Sequence, residues 1–153
     1  MKKMFFFSIL FFTIFLCSAQ RTVYESEVFN GYENPNTVLT LELDEYGAYF
    51  LSSRTESGDT NFGRLCIGYD ITEAKKTMER MQYFIEHDDL EYILIHTGEN
   101  IFLKLFKEED CTVEIEDNKF EIYTFFTTYI TDGTDICLTL PEQFVKKARK
   151  KII

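Results

Sequence analysis

Residues 70–86 read DITEAKKTMERMQYFIE, and this stretch separates one group of strand-like segments from another. Its apolar residues recur at spacings of three and four, which places them on one face of an α-helix. They are Ile71, Ala74, Met78, Met81 and Ile85. Asp70 precedes them and Glu73 follows three positions later, the arrangement of a capping box at a helix start. We therefore predict one amphipathic helix, from about Ile71 to Glu86, that packs one face on a sheet.

The sequence on both sides of this helix favours antiparallel strands. Before it, Leu39, Leu41 and Leu43 recur at every second position, which is typical of a strand with one buried face. After it, five segments favour strand, and short connections such as Glu108-Glu109-Asp110 join them. The segments are 91–97, 101–107, 111–116, 119–130 and 134–140.

Pro141 begins a short C-terminal helix in which Phe144, Ala148 and Ile152 align on one face. The predicted fold class is α+β: a mostly antiparallel sheet of about seven or eight strands, one central amphipathic helix packed on it, and the C-terminal helix. No linker, repeat or low-complexity tract divides residues 20–153, so we predict a single domain.

The first 19 residues have the plan of a secretory signal peptide. Lys2 and Lys3 precede an apolar run from Met4 to Leu16. Cys17-Ser18-Ala19 then supplies small residues at the −3 and −1 positions before Gln20. We predict cleavage near Ala19-Gln20 and export to the periplasm or the medium. An uncleaved anchor and a lipoprotein attached at Cys17 are the alternatives, although a lipoprotein site prefers a residue smaller than Leu16 before the cysteine.

Without that segment, the remaining chain divides into a strongly acidic part and a basic C-terminal part. Residues 20–153 carry 14 basic and 26 acidic side chains, a net charge of −12, and such an acidic body repels nucleic acid. Residues 141–153 have a net charge of +4, which leaves −16 on residues 20–140. A basic helix can contact an acidic partner or an anionic membrane, or it can complement the acidic body of its own molecule. The candidate partner contacts are Lys146, Lys147, Arg149, Lys150 and Lys151.

Export would place Cys66, Cys111 and Cys137 in an oxidising compartment. Three thiols allow at most one intramolecular disulfide, in any of three pairings. All three lie in strand-like runs, so we favour buried free cysteines that pack as small apolar residues.

His87 and His96 are weak candidates for acid-base catalysis, with Lys104 as an electrostatic helper. Their simpler interpretations are a cation at the helix C-terminus for His87 and a strand residue with a neighbouring partner for His96. The sequence has no HExxH, no Gly-x-Ser-x-Gly and no glycine-rich phosphate loop, and its carboxylates lack calcium-loop spacing. We therefore predict no metal site and no cofactor.

The leading functional hypothesis is a small exported domain without catalytic function, which binds a protein or another ligand through its sheet surface or loops. Aromatic residues in strands and the polar stretch 54–61, which we predict to be a loop, favour it. One alternative is a small secreted hydrolase that uses His87 and His96. The other is a membrane-surface protein held by the C-terminal helix.

Overall fold

The structure is a computed structural model that describes residues 20–30, 36–58, 61–87, 89–96, 101–115, 118–129 and 135–153. Side chains are described for these residues except 61–62, 101–102, 108–115, 118–129 and 135–137. Within the described residues the fold is α+β, with antiparallel strands and two helices, so the α+β part of the prediction is confirmed. The predicted signal peptide, residues 1–19, lies outside the described residues.

The strands form two four-stranded antiparallel sheets, a division that the sequence did not predict. Sheet A has the order β1-β2-β3-β4, formed by Arg21–Glu25, Thr37–Leu43, Tyr49–Thr55 and Asn61–Gly68. Sheet B has the order β5-β6-β7-β8, formed by Tyr92–His96, Ile101–Ile115, Asn118–Tyr129 and Asp135–Pro141. Strands β4 and β8 contact each other, which brings the two sheets together.

A tight turn joins β2 to β3 and sets their register. The carboxylate of Asp44 accepts hydrogen bonds from the backbone N–H groups of Tyr46 and Ala48, each at 2.9 Å. Gly47 has a φ of +90°, a conformation that an L side chain disfavours. This turn pairs Leu41 with Leu51, and both side chains are fully buried.

Two parts of sheet A differ from the sequence prediction. The polar stretch 54–61 was predicted as a loop, but Arg54 and Thr55 belong to β3 and Asn61 begins β4. Arg54 also makes a salt bridge to Glu25 at 2.5 Å, which ties β3 to β1. Strand β1 itself was missed, because it is a short edge strand without clear alternation of apolar and polar residues.

Helix α1 spans Ile71–Ile85 and begins with a capping arrangement. Asp70 accepts a hydrogen bond from the Glu73 N–H at 2.8 Å, and the Glu73 carboxylate accepts one from the Tyr69 N–H at 2.9 Å. The first bond satisfies a donor that the first turn of a helix leaves unpaired, and the second ties the residue before the N-cap to that turn. The start of α1 lies so close to Gly68 that a Cβ there would be 2.3 Å from the Ala74 nitrogen. A side chain at position 68 would therefore collide with the helix backbone.

The prediction of a hairpin turn at Glu108-Glu109-Asp110 is wrong. Strand β6 runs through these residues and pairs with β7 on both sides of them. Lys107 pairs with Tyr123 and Thr112 with Glu121, so five steps along β6 match two along β7. The extra residues are absorbed by an irregularity in the register. Three consecutive acidic residues are typical of a solvated turn, but the long partner strand β7 overrides that local preference.

Helix α2 spans Glu142–Arg149 and shares one core with α1 and both sheets. Its side chains Phe144, Val145 and Ala148 are almost fully buried, as is Ile152 beyond its end. The ring of Phe144 lies 5.6 Å from that of Tyr24, so α2 also contacts the edge strand β1. The two helices therefore lie together, and their outer sides form one face of the molecule.

Candidate functional site on the face of helices α1 and α2

Two grooves border the exposed side of α1. The first, of about 510 Å³, lies between α1 and β5 and is lined by Lys76, Glu79, Arg80, Tyr83 and Ile93. The second, of about 390 Å³, lies between α1 and the end of the chain and is lined by Lys75, Glu79, Arg149, Lys150, Ile152 and Ile153. Glu79 lines both, so the two grooves meet at this side chain. We call this region, with the grooves and the exposed side chains of α1 and α2, the helical face.

Cations collect on the helical face although the protein is acidic. Of the 14 basic side chains in residues 20–153, eight lie on α1 or in 142–153, together with only three acidic ones. The eight are Lys75, Lys76, Arg80, Lys146, Lys147, Arg149, Lys150 and Lys151. Lys146 pairs with Glu142 at 3.1 Å, and none of the other seven forms an ion pair among the described residues. The sequence predicted a basic C-terminal helix. The structure shows that cations of α1 lie beside those of α2.

The burial pattern of α2 bears on membrane contact. Phe144, Ala148 and Ile152, the stripe that would enter a bilayer, are buried at 5% exposure or less. Its exposed residues are cationic, apart from Ile153 at the end of the sequence. In this fold, α2 therefore offers charge rather than an apolar stripe to a membrane.

His87 follows the end of α1 and is occupied by its own helix. Its Nδ1 lies 2.6 Å from the carbonyl oxygen of Tyr83. Because a carbonyl can only accept, Nδ1 carries the proton and donates. The imidazole also stacks on the Tyr83 ring, with centroids 3.8 Å apart. His87 therefore lies at the C-terminal end of α1 and donates to one of the last carbonyl groups of the helix.

His96 lies on the exposed side of the edge strand β5, away from the two grooves. Tyr92 and Leu94 point to the same side and are each about half exposed. Lys104, the predicted electrostatic helper, pairs with Leu94 in the register, and its Nζ lies 4.6 Å from the centroid of the Tyr92 ring. This outer sheet surface is where the predicted sheet-mediated contact would lie. Lys104 is engaged there with an aromatic ring rather than with an imidazole.

Glu42 is the centre of a buried polar cluster that the sequence did not reveal. Its carboxylate accepts hydrogen bonds from the hydroxyls of Thr40 and Ser52, both at 2.9 Å, and from Arg64 Nε at 3.2 Å. Gln20 Nε2 donates to the same carboxylate. Thr40, Glu42 and Ser52 are all buried. Alternation in β2 marks Glu42 as facing away from the leucines, but only the neighbouring strands show that this second face is also covered.

Arg64 is held from both sides. Its Nε contacts Glu42, and its guanidinium lies 3.6 Å from the centroid of the Phe50 ring. A buried carboxylate that is fully hydrogen-bonded and paired needs no ligand to satisfy it. The cluster therefore stabilises sheet A and offers no vacant position for a substrate.

Cys66 is a buried cysteine in β4. Burial raises its pKa, so the thiol stays protonated at neutral pH and is a poor nucleophile or metal ligand. The side chains of Cys111 and Cys137 lie outside the described residues. Of the prediction of buried free cysteines, the structure shows the burial at position 66.

In the part of the chain that the structure describes, no three His, Cys, Asp or Glu side chains come together in a way that could hold a metal ion. Neither α1 nor α2, the helices of that part, has the length and hydropathy that a membrane crossing requires.

Comparison of the chain with protein-family models, with curated proteins and with solved structures gave no match.

Proposed function

We propose that this protein is a small exported domain without catalytic function that binds another protein through the helical face. The observation that carries the proposal is that five cations line two grooves on an acidic protein and form no ion pair with any other described residue. Exposed like charges repel one another, and the core does not require them. A partner of opposite charge would relieve this repulsion and would be drawn to the face over a distance of about one Debye length.

The proposed binding surface lies on the helices, whereas the sequence alone favoured the sheet surface or the loops. The outer sheet surface around Tyr92 and Leu94 is apolar, exposed and next to one cation, so it is the competing surface on the same molecule. The helical face combines two grooves with several cations that form no ion pair among the described residues. Concave shape and charge together are what a specific protein contact uses.

The proposed export of the protein is supported by the sequence of residues 1–19. A positive start, an apolar run and small residues before Gln20 support cleavage of a signal peptide. Fractionation of cells that express the full chain, followed by N-terminal sequencing, tests it. The proposal predicts an exported product that begins at Gln20. An intact chain in the cytoplasm would contradict export.

A matched pair of charge reversals tests the binding surface. Lys76→Glu changes the helical face, and Lys104→Glu makes the same change on the outer sheet surface. Each tagged variant is used to isolate partners, which are identified by mass spectrometry. We expect wild-type protein and Lys104→Glu to retain the same partner and Lys76→Glu to lose it. Loss with Lys104→Glu alone would place the contact on the sheet and overturn the proposal.

The hydrolase alternative has its own test. His87 is bonded to its own helix and His96 lies on the outer sheet surface, away from both grooves. A hydrolytic activity that is lost in both His87→Ala and His96→Ala, with unchanged unfolding curves, would contradict the absence of catalysis. We expect neither variant to lower any measured turnover.

A further inference from the structure

We infer that the helical face takes an extended acidic segment of a partner protein, with carboxylates on its cations and an apolar side chain against Tyr83 and Ile93. This inference rests on the proposed function and specifies its partner. It follows from the side chains that line the two grooves and from the burial of the apolar face of α2.

The first groove combines charge with apolar surface. Lys76 and Arg80 line it together with Tyr83 and Ile93. Tyr83 is 55% exposed, although its ring stacks on His87, so a flat aromatic surface faces solvent. A single carboxylate would pair with the cations and leave this apolar surface exposed to solvent. A pair of residues with one acidic and one apolar side chain would contact both the cations and the apolar surface.

The second groove repeats the cationic character beside the first. Lys75, Arg149 and Lys150 line it, and Ile153, which is almost fully exposed, lines its apolar part. Because Glu79 lines both grooves, a continuous segment that occupies both must pass this carboxylate. A partner with acidic residues in each groove therefore meets one repulsive charge at the crossing.

The shape of the site favours a chain over a flat surface. A bilayer would contact the protruding cations and leave the two grooves empty, and the apolar stripe of α2 that could enter it is buried. A nucleic acid would meet the same cations, but it would also meet the acidic remainder of the molecule. An extended peptide can lie along the grooves. Its negative charges would then be close to the cations and away from the acidic remainder of the molecule.

Fluorescence anisotropy with designed peptides tests the inference, using protein purified from cells that express the full chain. The probe is a short labelled peptide in which pairs of glutamates alternate with single leucines. Control probes replace the leucines with serines or the glutamates with lysines. We expect the first probe to bind, the serine probe to bind at least about threefold more weakly, and the lysine probe not to bind.

Variants separate the contributions. Lys75→Glu together with Lys150→Glu should weaken binding of the leucine probe by at least about tenfold, whereas Lys104→Glu should leave it unchanged. Tyr83→Ser should weaken the leucine probe but not the serine probe. Glu79→Gln should strengthen binding by about twofold to fivefold, because it removes the repulsive charge at the crossing. A gain of affinity is a result that misfolding cannot produce.

Each other result overturns the inference. If the leucine and serine probes bind equally, the apolar contact is wrong. If vesicles that contain phosphatidylglycerol bind the protein and the leucine probe does not compete, the face binds membranes instead. If no probe binds but Lys76→Glu still loses the isolated partner, the partner chemistry is wrong and the proposed function stands. If both experiments fail, the helical face is not the binding surface.

Discussion

Replacing Gly68 with alanine tests the close approach of α1 to β4, which positions the helical face. The new Cβ would lie 2.3 Å from the nitrogen of Ala74 and 2.8 Å from its Cα. These atoms belong to the helix backbone, so the helix must move by about 1 Å or more to reach an ordinary contact distance. Overpacking of this kind costs about 1–3 kcal/mol, and a collision with backbone belongs at the upper end.

Gly47→Ala is the matched control, because it makes the same chemical change where a Cβ has open space. Its φ of +90° costs an L residue about 1–2 kcal/mol, so Gly68→Ala should lower the free energy of unfolding by more than this control does. Urea titrations followed by circular dichroism measure both. Since the collision involves the backbone of residue 74, the second change Ala74→Gly should not rescue Gly68→Ala. Rescue, or a Gly68→Ala loss smaller than that of Gly47→Ala, would refute the reasoning.

Three further predictions use the same unfolding measurements. Asp70→Ala should cost about 1 kcal/mol through loss of the helix cap, whereas Asp70→Asn should be nearly neutral; equal losses would contradict the capping role. Glu42→Ala should cost about 2 kcal/mol, because it leaves two buried hydroxyls without their acceptor, and it should cost more than Arg64→Met. Burial raises the pKa of Cys66, so its contribution to stability is complete below the ordinary thiol pKa of about 8.5 and is lost as the pH rises above it. The free energy of unfolding should therefore fall more steeply between neutral and alkaline pH in the wild type than in Cys66→Ala, and identical slopes would refute this.

The sequence predicted the fold where short-range patterns agree with long-range packing. The spacing of Ala74, Met78 and Met81 reflects a helix face that is buried in the structure. The alternation of Leu39 and Leu41 likewise reflects a buried strand face. Residues 108–110 were misjudged because their charge favours a turn, while the pairing that keeps them in β6 comes from β7, a separate segment of the chain. Local propensity could not contain that information.

The candidate site was predictable only in part. The cations from Lys146 to Lys151 lie within one short stretch of sequence, so the net charge of that segment reveals them. The contribution of α1 depends on the packing of two helices about 60 residues apart, which no single-segment pattern shows. The buried role of Glu42 also depends on Ser52 and Arg64 from neighbouring strands.

Site-specific photo-crosslinking tests the central claim of a protein-binding helical face most directly. A photoreactive amino acid is placed at Lys76 on the helical face, at Leu94 on the outer sheet surface, or at Tyr46, an exposed turn residue on sheet A. Cells that produce each full-length variant are irradiated, and the products are separated by mass. We expect one discrete protein adduct from position 76 and none from positions 94 and 46. An adduct from position 94 with none from position 76 would contradict it.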